Sequence, residues 1–173
     1  MAFKRNALPP VQWTNPVHWL ALGFGTGYSP VAPGTFGTLS GVLVFWLLFP
    51  VHHSQLILLV IILLLFVGGV FICDRAAKDW GEHDHGCIVW DELVGYLVTM
   101  WGVMWVVPQP SWLWVVIAFV AFRLFDIAKP WPIKWVDRSV HGGFGIMIDD
   151  LLAGVMAALS LVAVLEIKHI AFG

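Results

Sequence analysis

The stretch from Gln55 to Cys73 contains no charged residue, and it constrains the chain more than any other feature. A helix rises about 1.5 Å per residue, so roughly 20 apolar residues cross the ~30 Å hydrocarbon core of a bilayer. Composition agrees with a membrane location: 60% of the 173 residues are apolar and only 12% are charged, whereas soluble domains carry roughly 25% charged residues. Too little polar surface would remain to cover a water-soluble core. The net charge of −2 gives no basic field for nucleic acid. Cys73 and Cys87 lack metal-ligand spacing and suggest no disulfide framework.

Four further apolar stretches accompany that run: roughly 37–49, 88–107, 112–128 and 146–165. The first is short and spans only with help. Residues 18–24 form a candidate interfacial helix. Pro50, Pro108, Pro110 and Pro130 fall at segment ends, where proline interrupts a helix least. The start of the chain has Lys4 and Arg5 but then Pro9, Pro10 and Gln12, so no cleavable signal peptide is expected. The expectation is an all-α, polytopic bundle: one domain over 1–173, about four to five membrane-embedded helices, and short interfacial helices.

Threading the chain with its N-terminus inside puts Lys4, Arg5, Arg75, Lys78, Arg123, Lys129, Lys134 and Arg138 on one face. Only Lys168 falls on the other. That bias marks the crowded face as cytoplasmic. All acids except Glu166 gather on or near the same face. Topology does not require this, because acids contribute little to orientation.

Two acidic pairs stand out. Asp91-Glu92 lies between Ile88-Val89-Trp90 and Leu93-Val94, and Asp149-Asp150 lies between Ile146-Met147-Ile148 and Leu151-Leu152. Carboxylates in such surroundings are expensive in lipid and mark functional sites. Both pairs are placed at helix starts, where the helix dipole also favours acids. Capping and ligation of a hard cation such as Mg²⁺ are therefore both open. Arg123, Asp126 and Lys129 are spaced to share one side of a helix end. They form either an intrahelical ion pair with snorkelling side chains or a phosphate clamp. Residues 131–138 mix tryptophan with basic residues, which suits a segment at the interface. The Gly- and Pro-rich stretch 29–38 is a connecting turn or a backbone anion site, without the Gly-Lys-Ser/Thr of a P-loop. His83-Asp84-His85 is either a metal-binding or a plain polar loop. No thiol-phosphatase, aspartyl-phosphate or histidine lipid-phosphatase motif occurs, which leaves a metal-activated water as the simplest nucleophile for phosphate chemistry.

Four blocks then resemble one family. They are Gly23-Phe24-Gly25-Thr26-Gly27-Tyr28-Ser29-Pro30 with Pro33-Gly34-Thr35; Val89-Trp90-Asp91-Glu92 with Gly95; Arg123-Leu124-Phe125-Asp126 with Lys129-Pro130-Trp131-Pro132; and His141 through Asp150 with Ala153-Gly154. In this order they resemble bacterial phosphatidylglycerophosphatase A over roughly residues 15–160, leaving residues 1–14 as a variable arm.

The resemblance implies a Mg²⁺-dependent phosphatase of the bacterial inner membrane, with its active site facing the cytoplasm. Its substrate would be phosphatidylglycerophosphate and its products phosphatidylglycerol and inorganic phosphate. Asp91, Glu92, Asp149 and Asp150 would hold the metal, with Asp126 beside them. Arg123, Lys129 and Arg138, with Thr35 and Thr38, would bind phosphate. His141 or His85 would protonate the leaving oxygen. The rival expectation is a small transporter or channel subunit, since intramembrane acids also mark ion paths. The charges stop at one face, which argues against it. No nucleic-acid partner is expected, and the sequence leaves the oligomeric state open.

Overall fold

In the computed structural model, residues 8–51, 54–82 and 84–172 are described, and among them the chain is helical with no strand. The seven α-helices are α1 (Pro16–Ala21), α2 (Pro33–Leu47), α3 (Gln55–Trp80), α4 (Trp90–Val103), α5 (Trp112–Ala128), α6 (Ile133–Ser139) and α7 (Gly142–Phe172). Short 3-10 turns occupy Thr26–Tyr28 and Phe49–Val51. Lys4, Arg5 and His83 lie outside the described residues.

Local chemistry sets several boundaries. The Ser54 side chain accepts from the Ile57 amide at 3.3 Å and caps α3. Gly81 ends α3 in a left-handed conformation that glycine tolerates without a Cβ penalty. Asn15 caps α1, with Pro16 at its first position. The first apolar stretch becomes helical earlier than expected, from Pro33, because proline's fixed φ suits a helix start.

Two helical stretches are long and apolar enough to cross a membrane: Gln55–Trp80 and Gly142–Ile167. Of the four to five membrane-embedded helices expected, these two meet that criterion among the described residues. The helices α2, α4 and α5 have 15, 14 and 17 residues, or about 21–26 Å at 1.5 Å per residue. The stretch expected to run from 88 to 107 is helical only over Trp90–Val103, and Met104–Trp105 already turn.

The shortest of these three, α4, sits in the middle. It packs against α2, α3, α5 and α7, and almost every one of its side chains is buried. Small residues let it approach α7 closely. The Gly95 and Gly154 backbones abut, Gly102 faces the Ala158 methyl, and the Thr99 hydroxyl lies 3.3 Å from the Gly154 carbonyl. The outer faces of the surrounding helices are apolar: Leu43, Leu64, Phe71, Leu113, Ile127 and Leu159 are all more than 60% exposed. Soluble monomers rarely present that much contiguous apolar surface.

The chain passes back and forth so that one end collects the start of α2, the end of α3, the start of α4, the end of α5, all of α6 and the start of α7. Three contacts fix this arrangement. The start of α2 meets Glu92 and Arg123 at Gly34, Asp74 of α3 meets Gly143 of α7, and Lys129 meets Asp149. Residues 107–111 and the end of α7 lie at the opposite end.

Candidate active site

The first component is a group of carboxylates between α4 and α7. Asp91, Glu92 and Asp150 each offer an oxygen, and the three oxygens lie within 4.8 Å of one another. Asp126, near the end of α5, faces Asp150. Close approach of like charges is costly without a balancing cation. Four buried oxygens also lack any hydrogen-bond partner: Asp91 Oδ1, Glu92 Oε2, Asp149 Oδ1 and Asp150 Oδ2. Buried polar atoms are normally satisfied, so the orphaned oxygens that Asp91, Glu92 and Asp150 bring together call for a ligand.

The cations are arranged around this group. The Arg123 guanidinium pairs with Asp126 through Nη1 and lies 3.8 Å from Glu92 Oε1, while its buried Nε has no partner. Lys129 closes α5 in a left-handed conformation with φ 40°. Its Nζ reaches Asp137 of α6 at 2.5 Å and Asp149 of α7 at 2.6 Å. Burial alone would lower the Lys129 pKa. The Asp149 and Asp137 carboxylates outweigh it and hold the ammonium above its ordinary value.

Beside the carboxylates opens a cleft of about 420 Å³, lined by Asp84, Asp137, Arg138, Val140, His141, Gly145, Ile146 and Asp149. Successive residues on a helix diverge by about 100°. Asp150 therefore turns into the carboxylate group while Asp149 turns toward Lys129 and the cleft.

The glycine-rich block before α2 positions this site from behind. Gly23, Gly27 and Gly37 form a socket for Val89, since a side-chain carbon on any of them would strike it. The Val89 amide donates to the Ala21 carbonyl at 2.8 Å. Val89 is the residue before α4, so the socket sets where Asp91 and Glu92 begin. At Gly34 a side-chain carbon would collide with Glu92 Oε1 and the Arg123 guanidinium.

The family model for phosphatidylglycerophosphatase A matches residues 19–165. The chain belongs to the phosphatidylglycerophosphatase A family. It is 50% identical over 155 residues to phosphatidylglycerophosphatase A of Escherichia coli (strain K12), covering 90% of this chain and 87% of that protein. It is 42% identical over 161 residues to the protein of that name from Haemophilus influenzae (strain Rd), covering 93% and 96%. No solved structure matches the chain.

The phosphatidylglycerophosphatase A blocks converge on the site, but not all of the expected placements agree with the structure. Asp91 and Glu92 lie in the first turn of α4 as expected. Asp149 and Asp150 do not start a helix: α7 begins at Gly142, and they lie about two turns inside it, beyond the reach of its N-terminal dipole. Thr35 and Thr38 lie in the first turns of α2, where Gly34 meets Arg123. The Thr38 hydroxyl donates to the Gly34 carbonyl at 2.8 Å, so its proton is engaged within the helix. His141 and Arg138 line the cleft rather than the carboxylate group.

His85 is buried; its Nδ1 accepts from the Cys87 amide at 3.2 Å, and Trp80 packs on its ring. It serves the loop before α4. Both cysteines are buried, and burial, followed by the Glu82 charge, pushes the Cys87 thiol up, so it is no thiolate nucleophile. Two features were not anticipated from sequence: Asp137 as the second anchor of Lys129, and the Val89 socket. The repeated glycines of residues 23–37 were the only signal for the socket.

Proposed function

We propose that this chain is a Mg²⁺-dependent phosphatase that hydrolyses phosphatidylglycerophosphate to phosphatidylglycerol and inorganic phosphate. The observation that carries this reading is the close group of Asp91, Glu92 and Asp150, each with a buried, unpartnered carboxylate oxygen, beside Arg123, which lies 3.8 Å from Glu92 Oε1. The relatives named phosphatidylglycerophosphatase A supply the substrate.

The donor set fits Mg²⁺, a hard cation that takes carboxylate oxygens and keeps several waters. Asp91, Glu92 and Asp150 would hold it, with Asp149 at the margin. When bound, it supplies charge neutralisation at the phosphoryl oxygens and a water of lowered pKa. The protein does the rest. Arg123 is steered by Asp126 and directs its remaining N–H groups at the phosphoryl oxygens. The Gly34 amide at the start of α2, brought close to Arg123 by the missing side chain, receives the same anion, with the Thr35 hydroxyl beside it. Lys129 holds Asp149 in place. Hydrolysis forms a bond from phosphorus to a water oxygen and breaks the bond to the glycerol oxygen. His141, on the cleft wall, delivers the proton that the glycerol oxygen needs.

A lipid substrate accounts for a site at the end of an apolar bundle, where headgroups lie. Exposed tryptophans occur at both ends: Trp13, Trp19, Trp131 and Trp135 near the site, and Trp105 and Trp112 at the opposite end. Two such belts suit two membrane–water interfaces. In this reading the bundle is a multi-pass protein of the bacterial inner membrane. Its basic end and its site face the cytoplasm, and the shorter α2, α4 and α5 are embedded beside α3 and α7. The ion-path alternative gains no support, because the bare run Gln55–Cys73 of α3 offers no charged continuation from the site.

The test is phosphate release by detergent-solubilised protein from phosphatidylglycerophosphate, with Mg²⁺ and with EDTA. Release with Mg²⁺ and loss with EDTA are expected. Near-normal turnover by Asp91→Asn or Asp150→Asn would remove the assigned ligand roles. Absence of release under all conditions would overturn the function.

A further inference from the structure

Among the described residues, the basic side chains at the site end divide into two classes. Arg75, Lys78, Arg123 and Lys129 are each held by a carboxylate within the protein. Arg138 and Lys134 are in no ion pair, and of these two only Arg138 lines the cleft. An unpaired guanidinium on the wall of a 420 Å³ cleft is suited to planar, bidentate recognition of a phosphate. The carboxylate group already has its own cation in Arg123, so the site has two compartments with one arginine each. The adjacent acids Asp149 and Asp150 form the partition between them, with Lys129 neutralising Asp137 and Asp149 on the cleft side.

The substrate of the proposed reaction also has two phosphates, a terminal monoester and a diester, joined by a three-carbon glycerol bridge with one free hydroxyl. We propose that Arg138 binds the diester phosphate, the one that is not hydrolysed, and so makes the cleft the headgroup-selecting subsite of this enzyme. This rests on the proposed function and deepens it. The monoester occupies the Arg123 compartment and the glycerol bridge crosses the partition. Asp84, which also lines the cleft, accepts the glycerol hydroxyl. A lipid monoester without a second phosphate, such as phosphatidate, places only its monoester in the site and leaves Arg138 unused. Arg138 therefore sets selectivity between lipids, whereas Arg123 serves any phosphomonoester.

The experiment compares Arg138→Ala, Arg138→Lys and wild-type protein in mixed micelles with phosphatidylglycerophosphate or phosphatidate. A lost charge-assisted hydrogen bond lowers the preference for phosphatidylglycerophosphate over phosphatidate by roughly tenfold or more in Arg138→Ala. The loss is carried by KM on phosphatidylglycerophosphate, with kcat within about twofold, and Arg138→Lys recovers part of it because one charge remains. Inhibition provides a second readout: phosphatidylglycerol, which keeps only the diester, weakens as an inhibitor in Arg138→Ala, whereas inorganic phosphate does not. If both substrates lose activity in proportion, or if kcat rather than KM falls, Arg138 acts on the transferred phosphoryl group and the inference fails. An unchanged preference overturns it as well. Wild-type protein that releases nothing from phosphatidylglycerophosphate overturns the functional reading, and this subsite with it.

Discussion

Replacing Gly95 with alanine probes how tightly the site depends on helix packing. Gly95 lies one turn after Asp91 on α4, where that helix presses on α7 and α5. A methyl group there would stand 2.7 Å from the Asp150 carbonyl oxygen and 2.6 and 2.8 Å from two ring carbons of Phe122. Ordinary carbon contacts are about 3.5–4.0 Å, so the helices must separate by roughly 1 Å. The Phe122 ring is itself fully buried and cannot simply swing away. Overpacking of this kind costs about 1–3 kcal/mol of stability. The larger effect falls on chemistry, because the displaced segment carries Asp150 away from Asp91 and Glu92. A misplacement of about 1 Å at reacting groups can lower turnover by about a hundredfold. The assay is phosphate release by the purified protein over a range of Mg²⁺ concentrations, with thermal unfolding in the same detergent to confirm that it remains folded. We expect a folded protein with kcat down by one to two orders of magnitude and a higher Mg²⁺ requirement. A folded Gly95→Ala protein with near wild-type turnover and Mg²⁺ dependence would refute the dependence of the carboxylate group on this contact.

Other perturbations address separate parts of the structure. Lys129→Met leaves Asp137 and Asp149 facing each other without their shared cation; a loss of about 1–3 kcal/mol, discounted because Lys129 is 28% exposed, is expected in thermal unfolding together with weakened turnover. The raised Lys129 pKa means its stabilisation is fully present below the unfolded lysine value and is lost only as pH rises through the higher folded value. The stability gap between wild type and Lys129→Met should therefore persist up to about pH 10 and close only above it. His18 accepts from the Gln12 amide at 3.0 Å through Nδ1, so its Nε2 carries the proton and donates to Asp79 at 3.2 Å. His18→Leu should release the segment around Gln12, seen as faster proteolysis there and a loss of about 1–3 kcal/mol, with little change in kcat. Ser54→Ala removes the α3 cap and should cost about 1 kcal/mol without affecting activity, measurable as a small fall in Tm.

Much of the site was legible from sequence because a carboxylate in an apolar run is too costly to persist without a role. Asp91, Glu92, Asp149 and Asp150 could be named from their surroundings, and each retains an unpartnered buried oxygen in the fold. The single crowded end was legible too, since it follows from counting passes of apolar sequence. The roles within the site were less visible. Arg138 looked like one more phosphate-binding cation beside Arg123 and Lys129, but it lines the cleft and not the carboxylate group. Apolarity by itself did not fix the membrane-embedded count, because α2, α4 and α5 have a second reason to be apolar: α4 is wrapped by its neighbours, and they in turn pack on it.

By itself, the sequence determined the helical class, the long apolar runs from Gln55 and from Ile146, and the inventory of carboxylates and cations at one end. These depend on local quantities: hydropathy along a run, proline and glycine at its ends, and the cost of charge beside apolar residues. Only the tertiary structure decided which oxygens meet. Asp150 rather than Asp149 joins Asp91 and Glu92 because two neighbours on a helix diverge, and the packing of Gly95 against Gly154 selects which one faces α4. The start of α4 is likewise set at a distance, by a socket of glycines that accepts Val89. Such close approaches are defined by atoms that are missing, and a missing side chain identifies its partner only once the two backbones are in contact.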